Sequence, residues 1–195
     1  MKYWTISAAT LSDAAILSTT PSEGPEEFMY KKGTPLKDTF PKIEDAKMYF
    51  DPNYPDRIKL NDIIKCLGGP LVIKPHIKSL FEAFDIAEEF LQVQLLDHES
   101  QVASDDYYIF NCICAIDFID MEKSKYRMGA LNKSQIKRVK SLVVKEDLEE
   151  TPNIFRDNNM LSQLFITDKL KQALDESGVQ GYKCFEASGW DGLEV

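Results

Sequence analysis

A stretch of ten residues without a charged side chain, residues 107–116, is the feature that most constrains the fold of this chain. It is rich in aromatic and β-branched residues, is too short to cross a bilayer, and is apolar at both alternating positions. These properties are typical of a central strand that is covered on both faces. Carboxylates follow directly at Asp117, Asp120 and Glu122, so we expect the strand to have an acidic exit.

The segments on either side of this strand predict a mixed α/β (α+β) fold with a central β-sheet and flanking helices. Residues 71–73 are typical of a short strand, Pro75 suits the first turn of a helix, and residues 90–96 alternate as a half-buried strand does. The same order recurs near the C-terminus, where a strand at 164–166 precedes a helix that begins at Thr167. We therefore predict two strand-helix-strand units around the central buried strand.

Further elements divide the chain into parts of different character. The spacing of apolar residues predicts a short helix over residues 60–67, which ends at the glycines that follow. We predict a single domain over residues 1–195, with a loop-rich N-terminal part at 1–58, a core at 59–187 and a tail at 188–195. Whether the two strand-helix-strand units share one sheet remains open at this stage.

The charge of the chain limits the classes of molecule that it is expected to bind. The net charge of −9 disfavours nucleic acid and anionic membranes, because both would repel this surface. A basic interval at 123–145, with Lys133, Lys137, Arg138 and Lys140, is flanked by acidic residues and is typical of a solvated strand and turn.

The location of the protein follows from its apolar runs and its cysteines. Asp13 interrupts the apolar N-terminus, so no signal peptide is predicted, and no run is long enough for a transmembrane helix. The four cysteines include no CxxC pair, which favours reduced, mostly buried thiols. We predict a cytoplasmic protein.

Candidate chemistry is sparse. Asp117, Asp120 and Glu122 could hold Mg²⁺ or act as general acid and base, which gives the alternative hypothesis of a small metal-dependent or hydrolytic enzyme. Cys112 and Cys114 lie two apart on one strand, but no histidine pair at ligand spacing accompanies them. The sequence thus predicts no catalytic residue, no metal ligand and no cofactor.

Two segments together carry a family resemblance: YYIFNCICAIDFIDMEKS at 107–124 and IFRDNNMLSQLFITDKLKQALDESGVQGYKCFEA at 154–187. They resemble the Imm11 immunity-protein family of bacterial polymorphic toxin systems, also known as DUF1629. The match rests on the pattern Asp117, Asp120, Ser124 after the aromatic strand, on the Ile-Phe-Arg triplet at 154–156, and on the glycines that close the last unit. The segment at 60–84 also fits, whereas the N-terminal third matches only loosely.

The resemblance implies a non-enzymatic antidote that binds a cognate toxin and occludes its active site or substrate path. An acidic chain suits tight, electrostatically steered binding of a basic toxin. We treat the motif residues as structural and predict partner contacts in two acidic segments instead, with the second ranked behind the first. These are Glu146, Asp147, Glu149 and Glu150, followed by Glu23, Glu26 and Glu27. The identity of the toxin and the oligomeric state stay open.

Overall fold

The computed structural model describes residues 2–84, 88–130, 132–148 and 150–193. It is mostly β, with 39% strand and 13% helix. In chain order the strands are β1 (Tyr3–Ala8), β2 (Ile16–Leu17), β3 (Lys47–Tyr49), β4 (Ile63–Cys66), β5 (Leu71–Ile73), β6 (Glu88–Leu96), β7 (Val102–Cys112), β8 (Ala115–Ile116), β9 (Lys125–Met128), β10 (Ile136–Ser141), β11 (Ile154–Asp157), β12 (Met160–Thr167) and β13 (Tyr182–Glu186). The α-helices are α1 (Pro75–Glu82) and α2 (Asp168–Glu176), and short 3-10 helices span Glu27–Lys31 and Lys37–Thr39.

The prediction of an α+β fold with a central sheet flanked by helices was wrong. The described strands form three sheets: six strands in the order β2-β4-β5-β7-β6-β3, five in the order β13-β1-β12-β11-β8, and the pair β10-β9. The ends of the six-stranded sheet meet, because Leu17 and Phe50 form an antiparallel bridge and the Ser18 amide donates to the Tyr49 carbonyl. That sheet is therefore strongly curved and nearly closed. It is not a central sheet flanked by helices.

The predicted central strand is divided between two sheets. β7 ends at Cys112 within the six-stranded sheet, and β8 begins at Ala115 in the five-stranded sheet, where it pairs in parallel with β11. The chain thus crosses from one sheet to the other at Ile113 and Cys114. This crossing brings the acidic exit to the edge of the five-stranded sheet.

The pieces of both strand-helix-strand units occur as strands and helices, but the units lie in different sheets. β5 and β6 belong to the six-stranded sheet, whereas β12 and β13 belong to the five-stranded sheet. Pro75 occupies the first turn of α1, and the Thr167 hydroxyl caps α2 by accepting from the Leu170 amide. The helix expected at 60–67 is strand β4 instead.

Three clusters of buried side chains hold these sheets together. One lies within the curved six-stranded sheet, and a second joins both sheets to Ile77 and Phe81 of α1 and Leu170 and Leu174 of α2. The third is aromatic: Phe118, Phe155 and Phe165 pack with ring centroids 4.8 to 6.0 Å apart, a separation at which aromatic rings attract. Trp190 of the C-terminal tail is buried in this cluster, so the described part of the tail is anchored.

Candidate partner-binding surface

The acidic segment that begins at Glu146 lies beside the acidic exit of the divided strand. An antiparallel bridge between Ile119 and Val144 brings the two segments together. The Lys123 ammonium then lies 3.1 Å from Glu146 and 3.4 Å from Asp120, so it joins a carboxylate from each segment. The structure thereby brings two groups of carboxylates onto one surface: Asp117, Asp120 and Glu122, considered for catalysis, and Glu146, Asp147 and Glu150, predicted to contact a partner. We call this surface the acidic base, where base refers to its position next to strands β9 and β10.

The first group of predicted partner-binding residues is exposed on the acidic base. The Glu146 side chain is 85% exposed, and Asp147 and Glu150 are exposed as well. Glu149 lies outside the described residues. A cleft of about 400 Å³ borders this group, and Lys2, Lys145, Leu148 and Glu186 line it together with Glu146. The cleft gives the acidic base a partly apolar depression.

The carboxylates considered for catalysis bond to their own chain. The Asp120 carboxylate accepts hydrogen bonds from the Lys123 and Glu122 amides. The Lys123 amide, followed by the Lys123 ammonium and then the Glu122 amide, lowers the pKa of Asp120. Asp117 pairs with Lys145, whose pKa is raised mainly by that hydrogen bond. Ser124 both donates to the Val143 carbonyl and accepts from the Val143 amide. The motif residues thus hold a turn against the segment that leads to Glu146.

Two adjacent buried residues of β11 bond to backbone groups, and the second of them, Asp157, holds the segment that leads into this turn. Arg156 is buried and donates to the carbonyls of Tyr30, Cys112 and Leu161, and its burial lowers the pKa of the guanidinium. Asp157 has 0% of its surface exposed. Its carboxylate accepts from the Phe118 and Ile119 amides at 2.9 and 2.8 Å.

Sequence reasoning identified Arg156 within the triplet but missed Asp157. The available signal was an aspartate directly after the Ile-Phe-Arg triplet, at the last position of β11. Such a group requires hydrogen-bond donors, because an unpaired buried carboxylate is costly. It therefore positions the backbone of the acidic base rather than contacting a partner.

The second predicted group, Glu23, Glu26 and Glu27, lies elsewhere. All three are exposed, and Glu27 pairs with Lys31 at 3.7 Å. The Glu27 side chain packs against the turn after β4, since a Cβ built on Gly68 would lie 3.0 Å from Glu27 Cγ. Leu67 in that turn is 50% exposed, as is Phe28 to a similar extent. This segment is thus a separate patch with mixed acidic and apolar character.

The cysteines and histidines do not converge. The four cysteines are free thiols, and burial raises the pKa of Cys66 and Cys112 to about 11. His76 lies 3.5 Å from Asp62, whereas His98 packs against the Phe50 ring. Across the residues that the structure describes, no three His, Cys, Asp or Glu side chains are grouped as ligands of a metal ion. In the same residues, no helix has the length and hydropathy needed to span a membrane.

Comparison with family models identifies the protein family of the chain. The model described as an immunity protein family, Imm11, matches residues 1–188. This chain belongs to the Imm11 immunity-protein family. The predicted family is confirmed, and the Imm11 match extends over the N-terminal third, where the motifs alone gave only a loose fit. A search of curated proteins returned no match. Membership in Imm11 supports an immunity function.

Proposed function

We propose that this Imm11 protein is a non-enzymatic antidote that acts in the bacterial cytoplasm by binding a cognate toxin of basic surface. Family membership carries the proposal, because the members are described as immunity proteins. The free thiols suit a reducing compartment, where disulfides are rare. The antidote would act by covering the active site or the substrate path of the toxin.

The acidic base is our candidate for the toxin contact. Glu146 and Asp147 project from a backbone that the Asp120 turn, the Ser124 hydrogen bonds and the buried Asp157 hold in place. A fixed backbone lowers the entropic cost of binding. Exposed carboxylates on such a support would steer a basic partner and raise its association rate.

The proposed interface can be described by the surface area that it buries and by the affinity that we expect. A stable complex of this kind buries on the order of 1,600 Å² in total, which exceeds the acidic run alone. The adjacent cleft, with Leu148 at its wall, supplies apolar surface next to the carboxylates. We expect a dissociation constant of about 1 nM or below, which corresponds to roughly 12 kcal/mol.

The first test is co-expression with the product of the adjacent gene, scored by growth and by a complex that survives size-exclusion chromatography. The second compares charge reversals in the purified complex. Glu146→Lys with Asp147→Lys should weaken binding at least about tenfold, mainly through slower association, and should reduce its salt dependence. Glu44→Lys with Asp45→Lys changes the net charge equally at exposed positions outside both acidic patches and serves as the matched control.

Each outcome decides between surfaces. If the reversal at Glu146 and Asp147 leaves affinity and salt dependence equal to those of the control, the acidic base is not the contact. Reversal of Glu26 and Glu27 then tests the second patch. Absence of both growth rescue and complex would reject this toxin as the partner.

A further inference from the structure

A basic ribbon stands on the acidic base. It consists of β9, β10 and the described residues between them, 129–130 and 132–135. Its exposed cations are Lys125, Arg127, Lys133, Lys137, Arg138 and Lys140. The sequence holds no Asp or Glu from residue 124 to residue 145. Within the described part of the chain, none of these six cations forms an ion pair. In a chain of net charge −9 this is a concentrated and uncompensated positive surface.

Two arginines of the ribbon face each other. In the register of the ribbon, Arg127 is the partner of Arg138. Like charges directly opposite on adjacent strands are destabilising. An anionic partner would offset this repulsion, because paired guanidinium groups bind carboxylates through strong, charge-assisted hydrogen bonds.

The other face of the ribbon fixes it in position. Ile136 and Val139 are buried in the aromatic cluster, and Tyr126 and Met128 pack against the same cluster. The Ile136 amide donates to the Asn159 carbonyl at 2.7 Å, and the Leu142 amide donates to the Trp190 carbonyl at 2.9 Å. The ribbon is thus attached to the core along one face and presents its cations on the other.

The charge of the surface changes from negative on the acidic base to positive on the basic ribbon. Glu122 and Asp147 of the acidic base are exposed, and they lie shortly before and shortly after the basic segment in the sequence. We propose that the basic ribbon binds the acidic base of a second copy of this chain. In a two-fold arrangement each ribbon would meet the base of the other copy, so every favourable contact would occur twice.

The acidic base of a second copy is the occupant that we favour, because it carries exposed carboxylates that complement the cations of the ribbon. The net charge of −9 repels nucleic acid and anionic membranes at long range, as it does a second copy, so it does not choose among them. Two copies also repel each other at long range, but screening over about 8 Å at physiological ionic strength leaves the contacting charges dominant. We therefore expect modest affinity, on the order of micromolar, that weakens as salt is added.

The test uses the chain alone, so its result is independent of any toxin. Light scattering and sedimentation equilibrium across micromolar to millimolar concentrations should show a monomer-dimer equilibrium. Arg127→Glu with Arg138→Glu reverses the ribbon, and Glu122→Lys with Asp147→Lys reverses the base. Each double variant should dimerise at least about tenfold more weakly than the unchanged chain, while Glu44→Lys with Asp45→Lys should dimerise as the unchanged chain does.

A mixture of the two reversed variants gives the sharpest readout. The ribbon-reversed chain has carboxylates at positions 127 and 138, where they would meet Glu122 and Asp147 of an identical copy. The base-reversed chain has ammonium groups at positions 122 and 147, where they would meet Arg127 and Arg138 of an identical copy. Neither should pair with itself, but an equimolar mixture should form a heterodimer. Three results would each overturn the proposal. The chain could be a monomer at every concentration, its dimers could be insensitive to both reversals, or the mixture of folded variants could fail to associate. A monomeric chain that binds a duplex oligonucleotide only through an intact ribbon would assign the surface to nucleic acid instead.

Discussion

Arg156 and Asp157 are consecutive residues of β11, yet their buried side chains bond to opposite kinds of backbone group. Arg156 donates to three carbonyls, and Asp157 accepts from three amides, including that of Asn159 at 2.6 Å. Successive side chains of a strand point to opposite faces of its sheet, so the pair serves both sides of β11. Within the described residues neither forms an ion pair, and their role is to satisfy backbone groups.

Arg156→Met should lower the free energy of unfolding by about 3 kcal/mol or more. The change removes the Arg156 donor from the carbonyls of Tyr30, Cys112 and Leu161, and the first two of these bonds are buried. Each buried group that loses its donor costs about 1–3 kcal/mol. Urea unfolding measures the effect. Arg138→Met is the matched control, because Arg138 is exposed and its loss should change stability by no more than about 0.5 kcal/mol. Equal effects of the two changes would contradict this account.

Asp157→Asn should destabilise by about 3 kcal/mol although the side chain keeps its shape. An amide group replaces one of two acceptor oxygens. Its donors would therefore face either the Phe118 and Ile119 amides, which bind Oδ2, or the Asn159 amide, which binds Oδ1. Asp38→Asn, at an exposed carboxylate, should be neutral in the same chemical denaturation experiment. A neutral Asp157→Asn variant would show that this carboxylate does not organise the acidic base.

The turn at Asp120 should make stability depend on acid. The Lys123 amide, followed by the Lys123 side chain, lowers the pKa of Asp120 below its ordinary 3.8. Because the folded pKa is the lower one, the stabilisation is fully present above 3.8 and is lost as pH falls through the folded pKa. NMR titration of the Asp120 carboxyl should give this lowered value, and Asp120→Asn should remove its share of the acid dependence. Titration of Asp120 at 3.8 or above would contradict the prediction.

Substitutions at Gly178 and Gly181 distinguish the stability cost of backbone strain from that of steric clash. Gly178 and Gly181 both have positive φ, +64° and +93°, but an added Cβ meets nothing within 4 Å at Gly178 and the Ile63 carbonyl oxygen at 2.0 Å at Gly181. Gly178→Ala should cost about 1 kcal/mol from strain alone. Gly181→Ala should lower the free energy of unfolding several times more, because the connection between α2 and β13 would have to move away from β4. Thermal unfolding of both variants compares them directly, and similar melting temperatures would refute the close approach.

Local chemistry allowed the elements around α1 and α2 to be predicted from the sequence. Pro75, Thr167 and the apolar stripes of both helices act through neighbouring residues, so their positions follow from spacing. The arrangement of sheets was mispredicted, because the partner of a strand is set by residues far along the chain. β2 and β3 are two and three residues long, and they are stable only through pairing with β4 and β6.

Strand β4 shows why the helix predicted at 60–67 was wrong. Ile63 packs into the core between the sheets, whereas Ile64 packs into the core of the curved sheet. A strand that is buried on both faces has no alternation, so its apolar run can be mistaken for a helical stripe. Leu67, the last residue of the predicted helix, is half exposed.

The candidate surface was predicted only in part. Exposure of the acidic run follows from its composition, but its proximity to Asp120 depends on the Ile119–Val144 bridge and on Lys123. No spacing rule in the sequence encodes either contact. The pairing of Arg127 with Arg138 likewise depends on a register that bulges shift on both sides.

The passage of the chain between sheets at Ile113 and Cys114 has a consequence for folding. Only these two residues separate β7 from β8, and Arg156 of the five-stranded sheet bonds to the last carbonyl of β7. Neither sheet can lose its strands without pulling on the other through this short tether. We therefore expect heat and denaturant to melt the whole chain in one concerted step, with no half-folded state in which one sheet survives alone.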